Sequence, residues 1–371
     1  MGEMARLFSS GFELNSTAAG VEWTTTSGSP TISTSTVRSG TYAGQVQANQ
    51  FFQTNLGVAV EGRDYFYRFY IRFATFPGAT ISISNGLVGH GLRINSSNQL
   101  YLDDENGILS GSTSSALSLD TWYRIEIRER STGETTGQAE YQIDGVTILS
   151  TIATEPAGGS TFTFGNIQAG TFSFFLDDFA VNDSTGSFQN SWPGEGKIVH
   201  LRPSATGSNS AWTGDNTDID EVTPDDTTTK ISSNTTSQLE DVNIDNTPND
   251  LVTPKVAQVG VRFNGAGASA NASFAVRSIV GGVTTESSAI TPSNTTFVTN
   301  AAASPRNYPI TLYEPTKSQL DSAEIGVNLT ASSTNAAQVS TLWMLVEYLN
   351  TSIDNEPDNY ASYSSGVQIR G

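Results

Sequence analysis

The chain has 371 residues, of which 37 are acidic and 18 basic, so its formal net charge is −19, and it contains no cysteine and only two histidines. The missing cysteine excludes disulfides, thiolate metal sites, iron–sulfur clusters and cysteine nucleophiles, and the wide separation of His90 and His200 argues against multi-histidine metal chemistry. The negative charge also argues against a nucleic-acid partner, because the phosphates would repel the chain.

The N-terminus contains no apolar run long enough for a signal peptide, and no stretch approaches the length of a membrane span. We therefore expect a protein that is made in a cytoplasm and does not insert into a membrane. The absence of cysteine is compatible with both reducing and oxidising surroundings.

The first 190 residues have apolar side chains at every second position, which predicts half-buried strands. Asp144-Gly145 between two such runs predicts a hairpin. Strands of this length, separated by turns rich in glycine, serine and asparagine, are typical of an antiparallel sandwich or jelly roll. The side chains predicted to face inward are Tyr65, Tyr67, Phe69, Ile71, Phe73, Tyr123, Ile125, Ile127, Phe172, Phe174 and Leu176.

The composition changes after residue 200, where residues 201–255 contain ten acidic and three basic residues among many Thr, Asn and Pro. Such a stretch predicts an extended linker or arm. Alternation returns from Val256 onwards, and Thr316 with Gln319 has the spacing of a helix capping box. We predict an all-β protein with a jelly roll over 1–190, a linker or arm over 191–255, a second β-sandwich over 256–351 and a polar tail over 352–371.

Two acidic pairs could bind calcium, because hard cations prefer clustered oxygen ligands. The turn at residues 103–107 (DDENG) lacks the alternate Asp spacing of a calcium loop, which favours an ordinary solvated turn. Asp177 and Asp178 are neighbours on a strand and point in different directions, which favours a structural capping role. We predict no cofactor and leave structural calcium open.

The sequence shows no catalytic constellation. A glycoside hydrolase needs two carboxylates across a cleft, and Glu126 and Glu129 stand among arginines as in a surface salt-bridge ladder. No Gly-x-Ser-x-Gly elbow accompanies His90 or His200. The sequence therefore predicts that the chain is not an enzyme.

The sequence context separates four of the tryptophans into two groups. Trp122 and Trp343 belong to strands and are predicted to be core residues. Trp192 and Trp212 lie in the turn-rich passage after the first domain, so we predict them to be interface or glycan contacts.

Several short passages carry a resemblance to a known class of protein. Their order resembles the laminin-G-like, concanavalin A-like jelly rolls of tailed-bacteriophage structural proteins, and the later passages are similar to the region after that jelly roll in such proteins. The passages are 8–13 (FSSGFE), 38–43 (RSGTYA), 121–126 (TWYRIE), 143–145 (IDG), 175–179 (FLDDF), 182–186 (NDSTG), 190–195 (NSWPGE), 201–205 (LRPSA), 210–213 (SAWT) and 324–327 (EIGV).

The resemblance implies a virion component on the particle surface, most simply a capsid decoration or cement protein. The alternative is a tail-fibre or tail-tip protein that recognises a host surface glycan. The expected partners are the major capsid protein or tail proteins and further copies of the chain, bound through an arm that adds a strand to a neighbour's sheet.

Overall fold

The computed structural model describes residues 5–351 except 105–106, 110, 133–135, 155–157, 167–168, 294, 302–304 and 306. Regular structure in this part of the chain is almost entirely β, and the named strands pair antiparallel. The predicted all-β class with two antiparallel sandwiches is confirmed. The C-terminal tail predicted for 352–371 lies outside the described residues.

The first domain contains fifteen strands among the described residues. They form because alternation over short runs places every second side chain on one face. The strands are β1 Arg6–Ser10, β2 Thr25–Ser27, β3 Thr31–Ser33, β4 Ala43–Gln47, β5 Gln50–Asn55, β6 Asp64–Thr75, β7 Ile81–Asn85, β8 Gly91–Ile94, β9 Leu100–Asp104, β10 Gly107–Ile108, β11 Trp122–Arg130, β12 Thr136–Ile143, β13 Val146–Thr154, β14 Thr161–Asn166 and β15 Ser173–Asp183.

These strands form two sheets that enclose the first core. Sheet A has the order β13-β12-β11-β6-β15-β4-β3, with β1 also beside β15, and sheet B has the order β10-β9-β8-β7-β14-β5-β2. The hairpin predicted at Asp144-Gly145 joins β12 and β13. The predicted inward row is confirmed, since all its members are buried except Tyr123, which is partly buried against the same core.

The second domain contains eleven strands, one short helix and one 3₁₀ turn in the part of the chain that the structure describes. The helix α1, Lys317–Leu320, starts at the predicted capping box, because Thr316 and Gln319 bond each other's backbone amides. The strands are β16 Lys197–Leu201, β17 Pro203–Ser210, β18 Ile231–Ser233, β19 Leu239–Ile244, β20 Thr253–Gly265, β21 Ser273–Val280, β22 Val283–Glu286, β23 Val298–Thr299, β24 Ile310–Tyr313, β25 Glu324–Ala331 and β26 Ala337–Leu349, and the 3₁₀ turn is Asn216–Asp218.

The second sandwich is larger than predicted. Sheet C has the order β16-β26-β20-β23, with β18 beside β26 and β24 beside β20, and sheet D has the order β17-β19-β25-β21-β22. The strands of residues 197–244 thus belong to both sheets, so the prediction of an extended linker or arm over 191–255 is wrong. The stretch is polar because these strands bury only sparse apolar side chains, such as Ile231 and Val242, and leave Thr, Asn and Asp outside.

The second domain packs against the first. A small apolar cluster joins the two, with Leu14 and Val21 from the first domain against Ile198, Trp343 and Leu345. The face of sheet A that points away from the first core is also buried along part of β6, where Phe66, Arg68 and Tyr70 are covered. No helix among the described residues has the length and apolar character needed to cross a bilayer.

Candidate functional site

A cleft of about 420 Å³ lies where the two domains meet. One wall is the first domain, with Glu13 and the loop Ser39–Gly40–Thr41. The other wall is the second domain, with β16, the loop after β19 and the end of β26. From the second domain the cleft is lined by Lys197, Val199, His200, Leu201, Asp245, Asn246, Pro248, Asp250 and Tyr348.

Glu13 is held firmly in the first wall. Its Oε1 accepts hydrogen bonds from the amides of Thr41 (2.9 Å) and Tyr42 (3.1 Å). Gly40, which precedes them, adopts φ +64°, and a side chain there would collide with the Glu13 carboxylate. Burial raises the pKa of Glu13 to about 8, even though these two amides act to lower it.

The second wall contains an ion pair between Lys197 and Asp250. Lys197 Nζ donates to Asp250 Oδ2 at 2.7 Å, and the Tyr348 hydroxyl donates to Asp250 Oδ1 at 3.1 Å. The hydrogen bond from Lys197 lowers the pKa of Asp250, so this carboxylate is ionised at neutral pH. Asp245 is exposed, and its Oδ2 accepts from the amide of Arg202 at 3.2 Å.

His200 lines the cleft, and its ring is stacked on that of Trp343 at 5.7 Å between centroids. Burial, assisted by Arg202, holds its pKa well below the usual value, so the ring is neutral. Within the described chain, neither ring nitrogen has a hydrogen-bond partner. The sequence predicted no catalytic role for this histidine, because no Gly-x-Ser-x-Gly elbow accompanies it.

A buried ionic cluster also joins the two domains. The Glu347 carboxylate of β26 pairs with Arg6, with Arg68 Nη1 at 2.5 Å and with Lys255 Nζ at 3.4 Å. Arg6 and Arg68 belong to the first domain, whereas Lys255 and Glu347 belong to the second. Burial alone would raise the pKa of Glu347, but the three cations hold it far below its usual range.

The aspartates Asp177 and Asp178 act as a clamp at a register shift in β15, where Asp178 has φ +50°. Asp177 Oδ2 accepts from the amide of Arg38 (2.8 Å), and Asp178 Oδ1 accepts from the amide of Ile198 (2.6 Å). The pair thus connects a first-domain loop to the first strand of the second domain. These contacts agree with the predicted structural role.

The two glutamates interpreted as a surface ladder are buried, so that interpretation is wrong. Glu126 accepts from the amide of Gly194 at 2.7 Å, under the segment that leads into the second domain. Glu129 accepts from the amide of His90 at 2.9 Å and lies 3.2 Å from its Nδ1. The flanking arginines are typical of a surface, but the elements that cover these glutamates are remote in sequence.

Calcium was left open at the two acidic pairs, and the described structure adds little at the first of them. In the turn at 103–107, Glu105 and Asn106 lie outside the described residues, and Asp103 pairs with Arg93 at 2.8 Å. Across the part of the chain that the structure describes, no three His, Asp or Glu side chains are placed to hold a metal ion. The absence of a cofactor stays a prediction, and structural calcium stays open.

The tryptophans differ in exposure. Trp212 is only 5% exposed, in the second core beside Phe274, so its ring is not offered to a ligand. Trp192 is half-buried, with its ring 5.5 Å from that of Phe66, and its role as a contact stays a prediction. Trp343 is buried as predicted, whereas Trp122 is only half-buried.

The buried Glu13 predicts how stability depends on pH. Its pKa is about 8 in the folded chain against an ordinary 4.5, so the unfolded chain releases this proton first as the pH rises. The contribution of Glu13 to the free energy of unfolding is therefore fully present below about pH 4.5. It is lost as the pH rises towards 8, and the total loss is a few kcal/mol. Urea unfolding measured between these pH values should show that a rise in pH lowers the free energy of unfolding less in Glu13→Gln than in the wild type. The exposed Glu61→Gln should keep the wild-type dependence, and equal slopes for wild type and Glu13→Gln would contradict the prediction.

Comparison with known proteins gives structural likeness alone. No protein-family model and no curated protein sequence matches this chain. The endo-β-1,4-glucuronan lyase of the fungus Trichoderma reesei is 17% identical with a TM-score of 0.36, over 48% of this chain and 95% of that one. Alginate lyase Aly36B is 15% identical with a TM-score of 0.33, over 47% of this chain and 96% of that one. A carbohydrate esterase of the Shiga toxin-encoding bacteriophage phi24B is 14% identical with a TM-score of 0.38, over 49% of this chain and 99% of that one.

These structures contradict the prediction that the chain is not an enzyme, because two are lyases and one is an esterase. We therefore withdraw that exclusion. It rested on missing linear motifs, whereas catalytic side chains can converge from separate strands without any motif. At these identities and TM-scores the likeness assigns no activity, substrate or partner to this chain. The bacteriophage origin and the laminin-G-like relationship stay predictions.

Proposed function

We propose that the chain is a surface protein of a bacteriophage particle that binds carbohydrate in the cleft between its two domains. The observation that carries the proposal is the lining of that cleft, which places carboxylate, amide, hydroxyl and ammonium groups around about 420 Å³. The place on a phage particle comes from the sequence resemblance.

The lining suits a polyhydroxylated ligand. Carboxylates such as Asp245 and Asp250 accept hydrogen bonds from hydroxyl groups, and Lys197 and Asn246 can donate to them. Val199 and Leu201 add a small apolar wall against which a ring could pack. A single lysine beside several carboxylates disfavours phosphate or sulfate ligands, which need an excess of positive charge.

A glycan array tests the proposal, using the full chain and the variant Asp250→Asn. We expect the wild type to bind a defined set of glycans and the variant to lose at least about tenfold in affinity, since a hydrogen bond to a charged group contributes about 1.5–3 kcal/mol. An array without binding would overturn the proposal.

Asp120→Asn is the matched control. Asp120 is also an exposed aspartate in a single ion pair, with Arg72 at 2.9 Å, and it lies outside the cleft. Its replacement should leave binding unchanged. Incubation of the wild type with any polysaccharide that binds, followed by sizing of the products, would show whether the cleft also cleaves its ligand.

A second candidate function is capsid decoration. It is favoured by the Glu347 cluster and the Asp177–Asp178 clamp, which join the two sandwiches into a unit. Two sandwiches joined in this way would suit a decoration subunit, which must resist strain on the capsid shell. Particles stripped of the protein should then lose resistance to heat or osmotic shock, and unchanged resistance would contradict this role.

A further inference from the structure

The carboxyl group of Glu13 has one oxygen that is bound within the fold and one that is left for a ligand. Oε1 accepts hydrogen bonds from the amides of Thr41 at 2.9 Å and Tyr42 at 3.1 Å. Oε2 has no hydrogen-bond partner among the described residues, and Glu13 lines the cleft. Oε2 is therefore the oxygen of this side chain that a ligand in the cleft can contact.

The Glu13 carboxyl is buried without an ion pair to any described residue, which favours its neutral form. The residue is 6% exposed, and Arg202 donates from Nη2 to its backbone oxygen at 2.5 Å instead of to the carboxyl. Burial raises the pKa of Glu13 to about 8, so the group carries a proton at neutral pH. Because Oε1 accepts two amide hydrogens, the proton lies on Oε2 and makes that oxygen a donor.

The groups around Glu13 determine how this proton responds to pH. Glu22 adds to the rise of the Glu13 pKa that burial causes, and Arg202 opposes it. On the opposite wall, His200 is already neutral and Asp250 already ionised at neutral pH, so neither should change its charge up to about pH 9.5. The charged groups beside Glu13 are Glu22, Asp177 and Arg202. The titratable groups of the opposite wall are Lys197, His200, Asp245, Asp250 and Tyr348.

Two of the three side-chain hydroxyl groups in the cleft lining already donate within the protein. Ser39 Oγ donates to Asp178 Oδ1 at 2.6 Å, and the hydroxyl of Tyr348 donates to Asp250. Oε2 of Glu13 therefore supplies a donor to the cleft that these two hydroxyls do not.

A neutral carboxyl donor selects for a ligand oxygen that only accepts. A sugar hydroxyl can turn its own hydrogen towards Glu13 and so suits either protonation state, whereas an amide carbonyl oxygen can only accept. The same cleft has an apolar part, formed by Val199, Leu201 and Pro248, against which a methyl group could pack. The acetamido group of an uncharged sugar combines such a carbonyl with such a methyl group.

We propose that Glu13 is a specificity-determining residue of the cleft and that its Oε2 donates a hydrogen bond to the carbonyl oxygen of an N-acetylated sugar. This inference rests on the proposed binding of carbohydrate in the cleft and adds the class of ligand. It assigns no cleavage reaction to the cleft.

An array of paired glycans, which differ only in carrying an acetamido or a hydroxyl group at one ring carbon, tests the specificity. At neutral pH we expect the acetamido member of a pair to bind at least about tenfold more tightly, because the hydroxyl member lacks both the carbonyl and the methyl group. Equal binding of the two members would overturn this inference and leave carbohydrate binding in the cleft intact. An array without any binding would overturn both.

The pH dependence of binding tests the role of Glu13 itself. Between about pH 6 and about pH 9.5, with folding followed by circular dichroism, the wild type should lose at least about tenfold in affinity for the acetamido glycans. The reason is that ionisation turns the donor into an acceptor, which repels the carbonyl oxygen. Glu13→Gln still accepts from the two amides and donates from Nε2 at every pH, so it should bind these glycans without the loss at high pH.

Glu61→Gln is the matched control, because Glu61 is exposed and lies outside the cleft. It should keep the pH dependence of the wild type. Wild-type binding that does not change with pH would overturn the proposal. A pH dependence that persists in Glu13→Gln would also overturn it and would point to another group, such as Glu22, whose pKa burial raises to about 7.

Discussion

Replacing Glu347 by glutamine should destabilise the folded chain by about 3–5 kcal/mol, which is the usual result of removing one partner from a buried ionic group. Glu347 is completely buried and pairs with Arg6, Arg68 and Lys255. Glutamine keeps the shape but leaves three buried cations without this counter-charge. Urea denaturation at neutral pH should show the loss as a lower midpoint.

The same variant should also separate the unfolding of the two domains, because the cluster joins residues of both. Intrinsic fluorescence and limited proteolysis should then report two transitions instead of one. Glu61→Gln, at an exposed glutamate of the first domain, should change stability by less than about 0.5 kcal/mol. Equal stability of Glu347→Gln and wild type would show that the cluster is not needed to join the domains.

Replacing Trp23 by alanine should cost about 3–5 kcal/mol, as for other large aromatic residues deleted from a core. The Trp23 ring is 1% exposed and lies 5.1 Å from Phe12, 5.4 Å from Phe52 and 5.9 Å from Phe179. Several rings would lose a packing neighbour at once. The strands that carry Phe52 and Phe179 are fixed by their pairing in the sheets, so they cannot move in to close the cavity.

Thermal and urea unfolding of Trp23→Ala measure this loss, with Trp192→Ala as the matched control. Trp192 belongs to the same half of the chain, but it is half-buried and packs on Phe66 as its ring neighbour. We expect a markedly smaller loss for Trp192→Ala. Equal losses for both variants would show that Trp23 is not central to the first core.

Trp23 is absent from the core residues predicted from the sequence, although its aromatic type alone could have suggested burial. It lies in a loop between two short elements, where no alternation assigns it a face. The same limit affected residues 197–244, whose polar strands were interpreted as an arm. Alternation is a reliable sign only where the buried face is continuously apolar, and it fails where a strand buries a few side chains among many polar ones.

The candidate cleft could not be predicted from the sequence. Glu13, His200 and Asp250 belong to three separate stretches of chain, and no local pattern of binding or catalytic residues links them. Their relation is set by how the two sandwiches pack together. A structural role was predicted for the acidic pair Asp177–Asp178, but its partners Arg38 and Ile198 were not, since Arg38 is remote in sequence and Ile198 belongs to the other domain.

The net charge and the missing cysteine argued against whole classes of site and partner, and the period-two pattern was enough to predict an antiparallel β protein and the inward face of β6. A side chain's direction on a strand follows from its position alone, so that local information suffices. Only the tertiary structure decided that the opposite face of β6 is also buried. Arg68 on that face meets Glu347, which is 279 residues away in the chain. A contact at such a separation depends on how the two domains dock, and no local pattern of side chains carries that information.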